Sequence, residues 1–351
     1  MGSLHIGFDA QILRRQRIGG ISRYFCDLAA ALAQAGVCVS KAPTSPFSWR
    51  QGKTWRQADV IHATFYGGHP YRLHKGQHLV SSLFDMVPER QPEHFFLPGL
   101  RSPHANKTAW LSASDLIISI SEASADDLAF FHPEIRTPVK VIHLGTALNR
   151  IFPEPVESLT NRRFWLMVGK RHAYKNGMTL LRALSMMQRG CCRASDHPLL
   201  VFAGGGAWRA KELKWIAAHG LQHSVRQLPV NDGMLAWLYR RAEAVLVPSL
   251  GEGFSLPLIE ALACDTPVAV SNLEVHQEIG RGFATFLPAL NARAWFEWLR
   301  CHADNPQPRP SRSLGLVDYG RLRQHFAMER MVQQHLDAYT NLNHSHQIRT
   351  Q

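Results

Sequence analysis

Short apolar runs alternate with longer segments of helical periodicity along most of the chain. "LHIGFDA", "DVIHATF", "HLVSSLFD", "DLIISIS" and "VKVIHLG" are rich in β-branched and aromatic residues, and each ends in polar or glycine punctuation. That pattern predicts strands. After the first of them, "IGGISRYFCDLAAALAQAG" predicts a glycine turn and then a helix. Its Ile21, Tyr24, Leu28 and Leu32 recur at helical spacing, with Phe25 and Ala31 beside them and Gly36 as the stop. After "NRIFPEPVESLTNRR" the alternation restarts with "FWLMVGK", "PLLVFAGGG", "VRQLPV", "AVLVPS" and "PVAVSN" as strands. "NGMTLLRALSMM", "AWRAKELKWIAAHG", "DGMLAWLYRRA" and "SLPLIEALA" are the helices between them. The tail "YGRLRQHFAMERMVQQHLDAYTNL" reads as one long helix behind the proline-rich "NPQPRPSRS".

Strands that alternate with helices build parallel sheets covered on both faces. A chain of 351 residues is long for one core, so the expectation is two α/β domains. The restart, with Pro153 and Pro155 at its edge, sets the expected division: 1–155, then 156–318, then a helix and tail over 319–351. Domains of this kind gather strand ends, loops and helix N-termini where ligands bind.

Charge narrows the ligand. Lysine and arginine number 39 against 27 acidic residues, a net charge of +12, which favours phosphorylated ligands, nucleic acid or an acidic membrane face. The six cysteines (Cys26, Cys38, Cys191, Cys192, Cys264 and Cys301) show no CxxC spacing, as in a reduced cytosolic protein. The N-terminus reads as a strand rather than a signal peptide, and no apolar run approaches the roughly 20 residues of a membrane span. The expectation is a cytoplasmic protein that touches a membrane, if at all, peripherally at its inner face.

The richest stretch is "VPSLGEGFSLPLIEALAC", residues 247–264. A buried strand runs into a glycine-flexible loop, and Ser255 is placed to cap a helix with Pro257 in its first turn. Such a helix start seats phosphate. Glu260 could accept hydrogen bonds from a ribose diol, and Glu252 could do the same for sugar hydroxyls. The plainer alternatives are a favourable first-turn charge at Glu260 and a solvated loop residue at Glu252. A capping box is excluded, because the residue three after Ser255 is Leu258.

"EGFSLPLIEA" closely resembles the E-x7-E motif of retaining glycosyltransferases of family 4, which have the GT-B fold. "MVGKRHAYKNGMTLLRAL" is similar to that family's strand, basic loop and helix, and "LAWLYRRAEAVLVPS" to its lead-in. "GGISRYFCDLAAAL" resembles its N-terminal glycine loop, and "DLIISISEASADDL" with "VKVIHLG" the end of its first domain. The resemblance runs from about Ile6 to the final helix. It implies two Rossmann-like α/β domains facing a central cleft, with a C-terminal helix able to cross back to the first.

By motif position the resemblance places Glu260 on the nucleotide ribose and Glu252 on the transferred sugar. The backbone around Phe254, Ser255 and Leu256 would hold sugar hydroxyls and diphosphate, flanked by Arg171 and Lys175. Fixed cations and helix N–H groups would stabilise the departing nucleoside diphosphate, with no metal or other cofactor. Gly19 and Gly20 would let the N-terminal backbone approach the diphosphate or acceptor, or else form a plain turn. In "SSLFDMVPE" the chain departs from the family: a His-Asp pair is usual there, and here Phe84 precedes Asp85. His62 is a candidate substitute. Asp85 would orient the acceptor hydroxyl or act as its base, or else cap a turn.

The resemblance therefore implies retaining transfer of a hexose from a nucleotide-diphosphate sugar to a lipid-linked bacterial glycan. GDP-mannose is the first donor to consider, since the "FDMVPE" and "GGISRY" contexts resemble mannosyltransferases of lipopolysaccharide and O-antigen assembly; UDP- and dTDP-sugars are the alternatives. The basic charge suits an acceptor bearing an isoprenoid diphosphate at an anionic membrane face. "EVHQE", with Glu274, His276 and Glu278, puts only its two glutamates on one helix face, which argues against a metal site. "AGGGAW" lacks the GxGxxG of a dinucleotide site. The rival classes are a catalytically silent nucleotide-sugar binder and a nucleic-acid-binding protein. No recognised nucleic-acid motif appears, so nucleic acid is not expected as a partner.

Overall fold

A computed structural model describes residues 4–17, 19–42, 54–95, 102, 104–189 and 197–349, without the side chains of 189 and 344–349. It divides into two units, Met1–Gly145 with Met328–Gln351, and Thr146–Ala327. The division falls upstream of Pro153 and Pro155, and the last helix counts with the first unit.

Unit 1 carries a six-stranded parallel sheet in the order β2-β1-β3-β4-β5-β6. The strands are β1 (His5–Phe8), β2 (Cys38–Lys41), β3 (Val60–Ala63), β4 (His78–Leu83), β5 (Leu116–Ser119) and β6 (Val139–Val141). The central runs β3, β4 and β5 are buried at every residue, whereas β2, at an edge, is partly exposed throughout. The helix Gly20–Gln34 buries Tyr24, Phe25, Leu28 and Leu32, as its periodicity requires.

The chain closes unit 1 with its last helix, Met328–Arg349. His335 and Tyr339 on that helix are fully buried. Tyr24 Oη lies 2.7 Å from His335 Nε2, and Tyr339 Oη lies 2.7 Å from His62 Nδ1. The expected single tail helix is two, Leu316–His325 and Met328–Arg349. The break has a physical cause. Phe326 is buried against the Phe254 ring, its carbonyl accepts the Thr146 N–H at 3.0 Å, and Ala327 pairs with Thr146 as a parallel bridge.

Unit 2 repeats the plan, with strand order β12-β11-β10-β7-β8-β9, all parallel. Its strands are β7 (Phe164–Val168), β8 (Leu199–Ala203), β9 (Val225–Leu228), β10 (Ala244–Val247), β11 (Val268–Ser271) and β12 (Ala284–Leu287). One core face holds Trp165, Leu200, Phe202 and Leu246 under Leu181 and Leu184 of the Gly177–Arg189 helix and Trp295 and Leu299 of the Ala292–Asp304 helix. The described cysteines Cys26, Cys38, Cys264 and Cys301 are free; Cys191 and Cys192 lie outside the described residues. Among the described residues no helix is long and apolar enough to cross a membrane.

Candidate active site

In unit 2 the strand order turns at the β7/β10 pair: β8 and β9 extend to one side, β11 and β12 to the other. Loops leaving β7 and β10 at their carboxyl ends therefore diverge, and the crevice at such a switch point is where open α/β sheets bind ligands. The loop after β7 carries Gly169–Asn176, and the loop after β10 carries Pro248–Ser255. The two are stitched together. Leu250 N–H donates to Tyr174 O at 2.6 Å, and Asn176 Nδ2 donates to Pro248 O and Ala289 O at 2.9 Å each.

The sequence-expected Lys175 and Glu252 meet across this junction, with Lys175 Nζ 2.6 and 2.7 Å from the two Glu252 oxygens. Ser249 Oγ donates to the same carboxylate at 2.6 Å. Burial pushes the Glu252 carboxyl upward. The Lys175 ammonium, His276 and the hydrogen bonds from Lys175 and Ser249 outweigh that and hold it below the ordinary value. Glu252 is thus a buried, ionised, paired side chain, and the solvated-loop alternative does not apply.

Ser255 stands at the N-cap position of the Leu256–Ala263 helix, with Pro257 in the first turn as expected. Its hydroxyl makes no cap bond. The backbone is left-handed (φ 88°, ψ 74°) rather than the extended form of capping serines, and the buried Oγ has no partner. Glu260 lies beyond the first turn of that helix, so a first-turn dipole charge does not explain it. It is buried, and its Oε2 accepts a hydrogen bond from Tyr239 Oη at 2.6 Å. Phe254 turns its ring into the core against Phe326, which leaves its backbone to the loop.

Arg171 departs from expectation. Its side chain is 2% exposed and committed: it donates to the Glu212 carboxylate at 3.1 and 3.3 Å, to Gly206 O at 3.0 Å and to Ala207 O at 2.8 Å. The guanidinium also lies 4.5 Å from the centre of the Trp208 ring. It clamps the glycine loop after β8 to the Ala210–Ala218 helix, whose first turn holds Glu212. In that loop Gly205 has φ 71°, and a Cβ there would sit 2.2 Å from Gly169 O. The exposed cation beside Gly169 is Lys170.

In unit 1, Asp85 follows β4, and one carboxylate oxygen accepts Val87 N–H at 3.1 Å as a turn cap does. Its carbonyl accepts from buried Lys107 Nζ at 3.0 Å, and the same ammonium pairs with Glu89 at 2.9 Å. Phe84 packs edge-on with Tyr24 and Phe25 in an aromatic cluster. His62 cannot replace the family histidine. It is fully buried, and both ring nitrogens are engaged, Nδ1 with Tyr339 Oη and Nε2 with Ser82 Oγ at 2.9 Å. Gly19 has an extended backbone (φ 166°) ahead of the Gly20–Gln34 helix, and its carbonyl accepts from Ser22 Oγ and Arg23 N.

Neither Ser249 nor Tyr239 stands out in the sequence, and His276 draws notice there only as a discounted metal ligand. The fold brings Ser249 to Glu252 and Tyr239 to Glu260. "EVHQE" does form a helix, Glu274–Gly280, but it turns His276 fully inward toward β11. Among the described residues no group of three potential metal ligands occurs.

Comparisons with known proteins bear on the fold and the family. Residues 150–286 match the family described as glycosyl transferases group 1. A serotype-specific mannosyltransferase of Escherichia coli is 27% identical over 64% of this chain and 30% of its own length. An O-antigen chain mannosyltransferase B of the same organism is 25% identical over 65% of this chain and 61% of its own. A D-inositol 3-phosphate glycosyltransferase of Salinispora tropica is 27% identical over 68% and 53%. The chain thus spans 30% to 61% of the lengths of these relatives. Sucrose-phosphate synthase from Thermosynechococcus elongatus shares the fold, with a TM-score of 0.74 over 97% of this chain and 100% of that one at 18% identity. The two parallel six-stranded sheets thus take the GT-B fold, and residues 150–286 form a glycosyl transferases group 1 domain.

Proposed function

We propose that the chain is a retaining hexosyltransferase. It takes a sugar from a nucleotide-diphosphate donor, GDP-mannose first among candidates, to a lipid-linked glycan acceptor of bacterial surface polysaccharide. The observation that carries the reading is the Lys175–Glu252 pair at the β7/β10 switch point, beside the start of the helix that bears Glu260. Glu260, already accepting from Tyr239, binds the ribose diol. Glu252 takes sugar hydroxyls, and the unpartnered Ser255 Oγ is a further hydroxyl partner within the same turn.

As the glycosidic bond breaks, negative charge grows on the departing diphosphate. Lys175 turning from Glu252, together with the helix N-terminus, meets that charge without a metal. The acceptor oxygen bonds to the anomeric carbon on the face the diphosphate leaves, and its proton passes to a departing phosphate oxygen, so configuration is retained. Mannose leads because two of the relatives above are named mannosyltransferases. The excess of basic residues supports a peripheral approach to an anionic membrane on the cytoplasmic side.

The test is a thermal-shift panel with GDP-, UDP-, dTDP- and ADP-sugars. Stabilisation by one class, followed by release of its nucleoside diphosphate, supports the enzyme. Stabilisation without any donor hydrolysis supports a silent binder. A salt-sensitive response to generic DNA with no response to any nucleotide sugar overturns the reading.

A further inference from the structure

Glu252 is held from two sides that differ in kind. On one side stands Lys175, whose side chain is 23% exposed and which the proposed chemistry draws toward a diphosphate. On the other, Ser249 Oγ donates to Glu252 at 2.6 Å, Ser271 Oγ donates to Ser249 O at 2.5 Å, and His276 Nδ1 donates to Ser271 O at 2.7 Å. Ser249, Ser271 and His276 are all buried, so nothing in this chain of bonds reaches solvent.

The bond to a carbonyl fixes the proton on Nδ1 and leaves Nε2 a bare acceptor, buried and without a partner. The ring is therefore held through Nδ1. A carboxylate with only a mobile lysine for company would swing when that lysine leaves. One whose loop is braced from beneath would not.

We propose that His276 is a positioning residue for Glu252: through Ser271 and Ser249 it keeps the carboxylate in place when Lys175 turns to the donor's diphosphate. The inference rests on the donor-site reading above, and it assigns a role to a helix that lies outside the E-x7-E segment.

The test uses the affinity for GDP-mannose, or for the nucleotide sugar the shift panel selects, measured by calorimetry on the full chain. H276L should raise Kd roughly tenfold, the effect of one lost buried hydrogen bond. H276N, whose amide nitrogen takes the place of Nδ1, should restore Kd to within about twofold, and H276Q, which mimics Nε2, should not. S271A removes the hydroxyl that donates to Ser249 O and lies 3.3 Å from His276 Nδ1, and should match H276L; it carries the test if H276L does not fold. Equal affinities for H276L and H276N, or wild-type affinity in S271A, overturn the proposal. E252Q separates the two levels: if it binds like wild type, the donor-site reading falls as well. If E252Q is impaired while S271A and H276L are not, only the role of His276 falls.

Discussion

Lys175 and Glu252 form an ion pair 77 residues apart in sequence, with both carboxylate oxygens within 2.7 Å of one ammonium. In the proposed function each meets a different part of a nucleotide sugar, so donor binding divides the pair. K175A should slow transfer about 100-fold or more while changing donor affinity little, as loss of a group acting on developing charge does. Steady-state kinetics with the selected donor checks this. Equal losses in kcat and affinity would place Lys175 in ground-state binding instead.

Glu260 and Tyr239 make the complementary case. E260A should weaken donor binding roughly tenfold to a hundredfold with a smaller change in kcat, because the ribose is remote from the breaking bond. Y239F removes one hydrogen bond to the carboxylate and should cost about 1 kcal/mol of stability. Calorimetric titration of donor and urea unfolding measure the two effects.

Arg171 and Lys170 are neighbours with opposite expectations. R171A strands the Glu212 carboxylate and should destabilise the protein by about 3 to 5 kcal/mol. K170A removes an exposed charge and should leave stability within about 0.5 kcal/mol of wild type. Melting temperatures of the two variants settle which cation is structural.

Gly205 tests the close approach of the loops after β7 and β8. G205A places a methyl against Gly169 O in a backbone conformation that L-residues rarely adopt. It should lower stability by about 1 to 3 kcal/mol and lower Tm by several degrees. An unchanged Tm would mean that the two loops part freely.

The buried histidines of unit 1 fix a pH dependence. Burial pushes His62 well below its ordinary value and His335 down to about 4. The folded protein therefore binds fewer protons than the unfolded chain between about pH 6.5 and 4. Stability is full above the unfolded value and falls as pH drops through that window. His335 alone accounts for a loss of about 3 kcal/mol. Urea midpoints from pH 7 to 4 should decline, and H335Q should flatten the decline.

The periodic segments transferred from sequence to structure well, because fully apolar runs such as "FWLMV" and "AVLV" have nowhere to go but the middle of a covered sheet. The edge strands β2 and β12 were missed. They are half exposed and short, and pairing rather than composition makes them strands. The tail's helical pattern runs through Phe326 and Ala327 without a break, and only the bridge to Thr146 interrupts it. At the site, the E-x7-E spacing singled out Glu252 and Glu260. The basic loop announced two cations but not which of them faces the carboxylate. Ser249, Tyr239 and His276 had no motif to mark them, since their meaning lies in how the loop, the helices and β11 meet.

The closing helix of unit 1 sets a timetable. His335 and Tyr339 meet Tyr24 and His62 across 311 and 277 residues of sequence, and the whole of Thr146–Ala327 is translated in between. On the ribosome, unit 2 emerges complete while the first sheet still waits for its last helix, with Tyr24 and the His62 imidazole uncovered. Within this chain unit 1 begins first and is finished last, and a chain stalled before Met328 would carry a whole second unit and an unfinished first one.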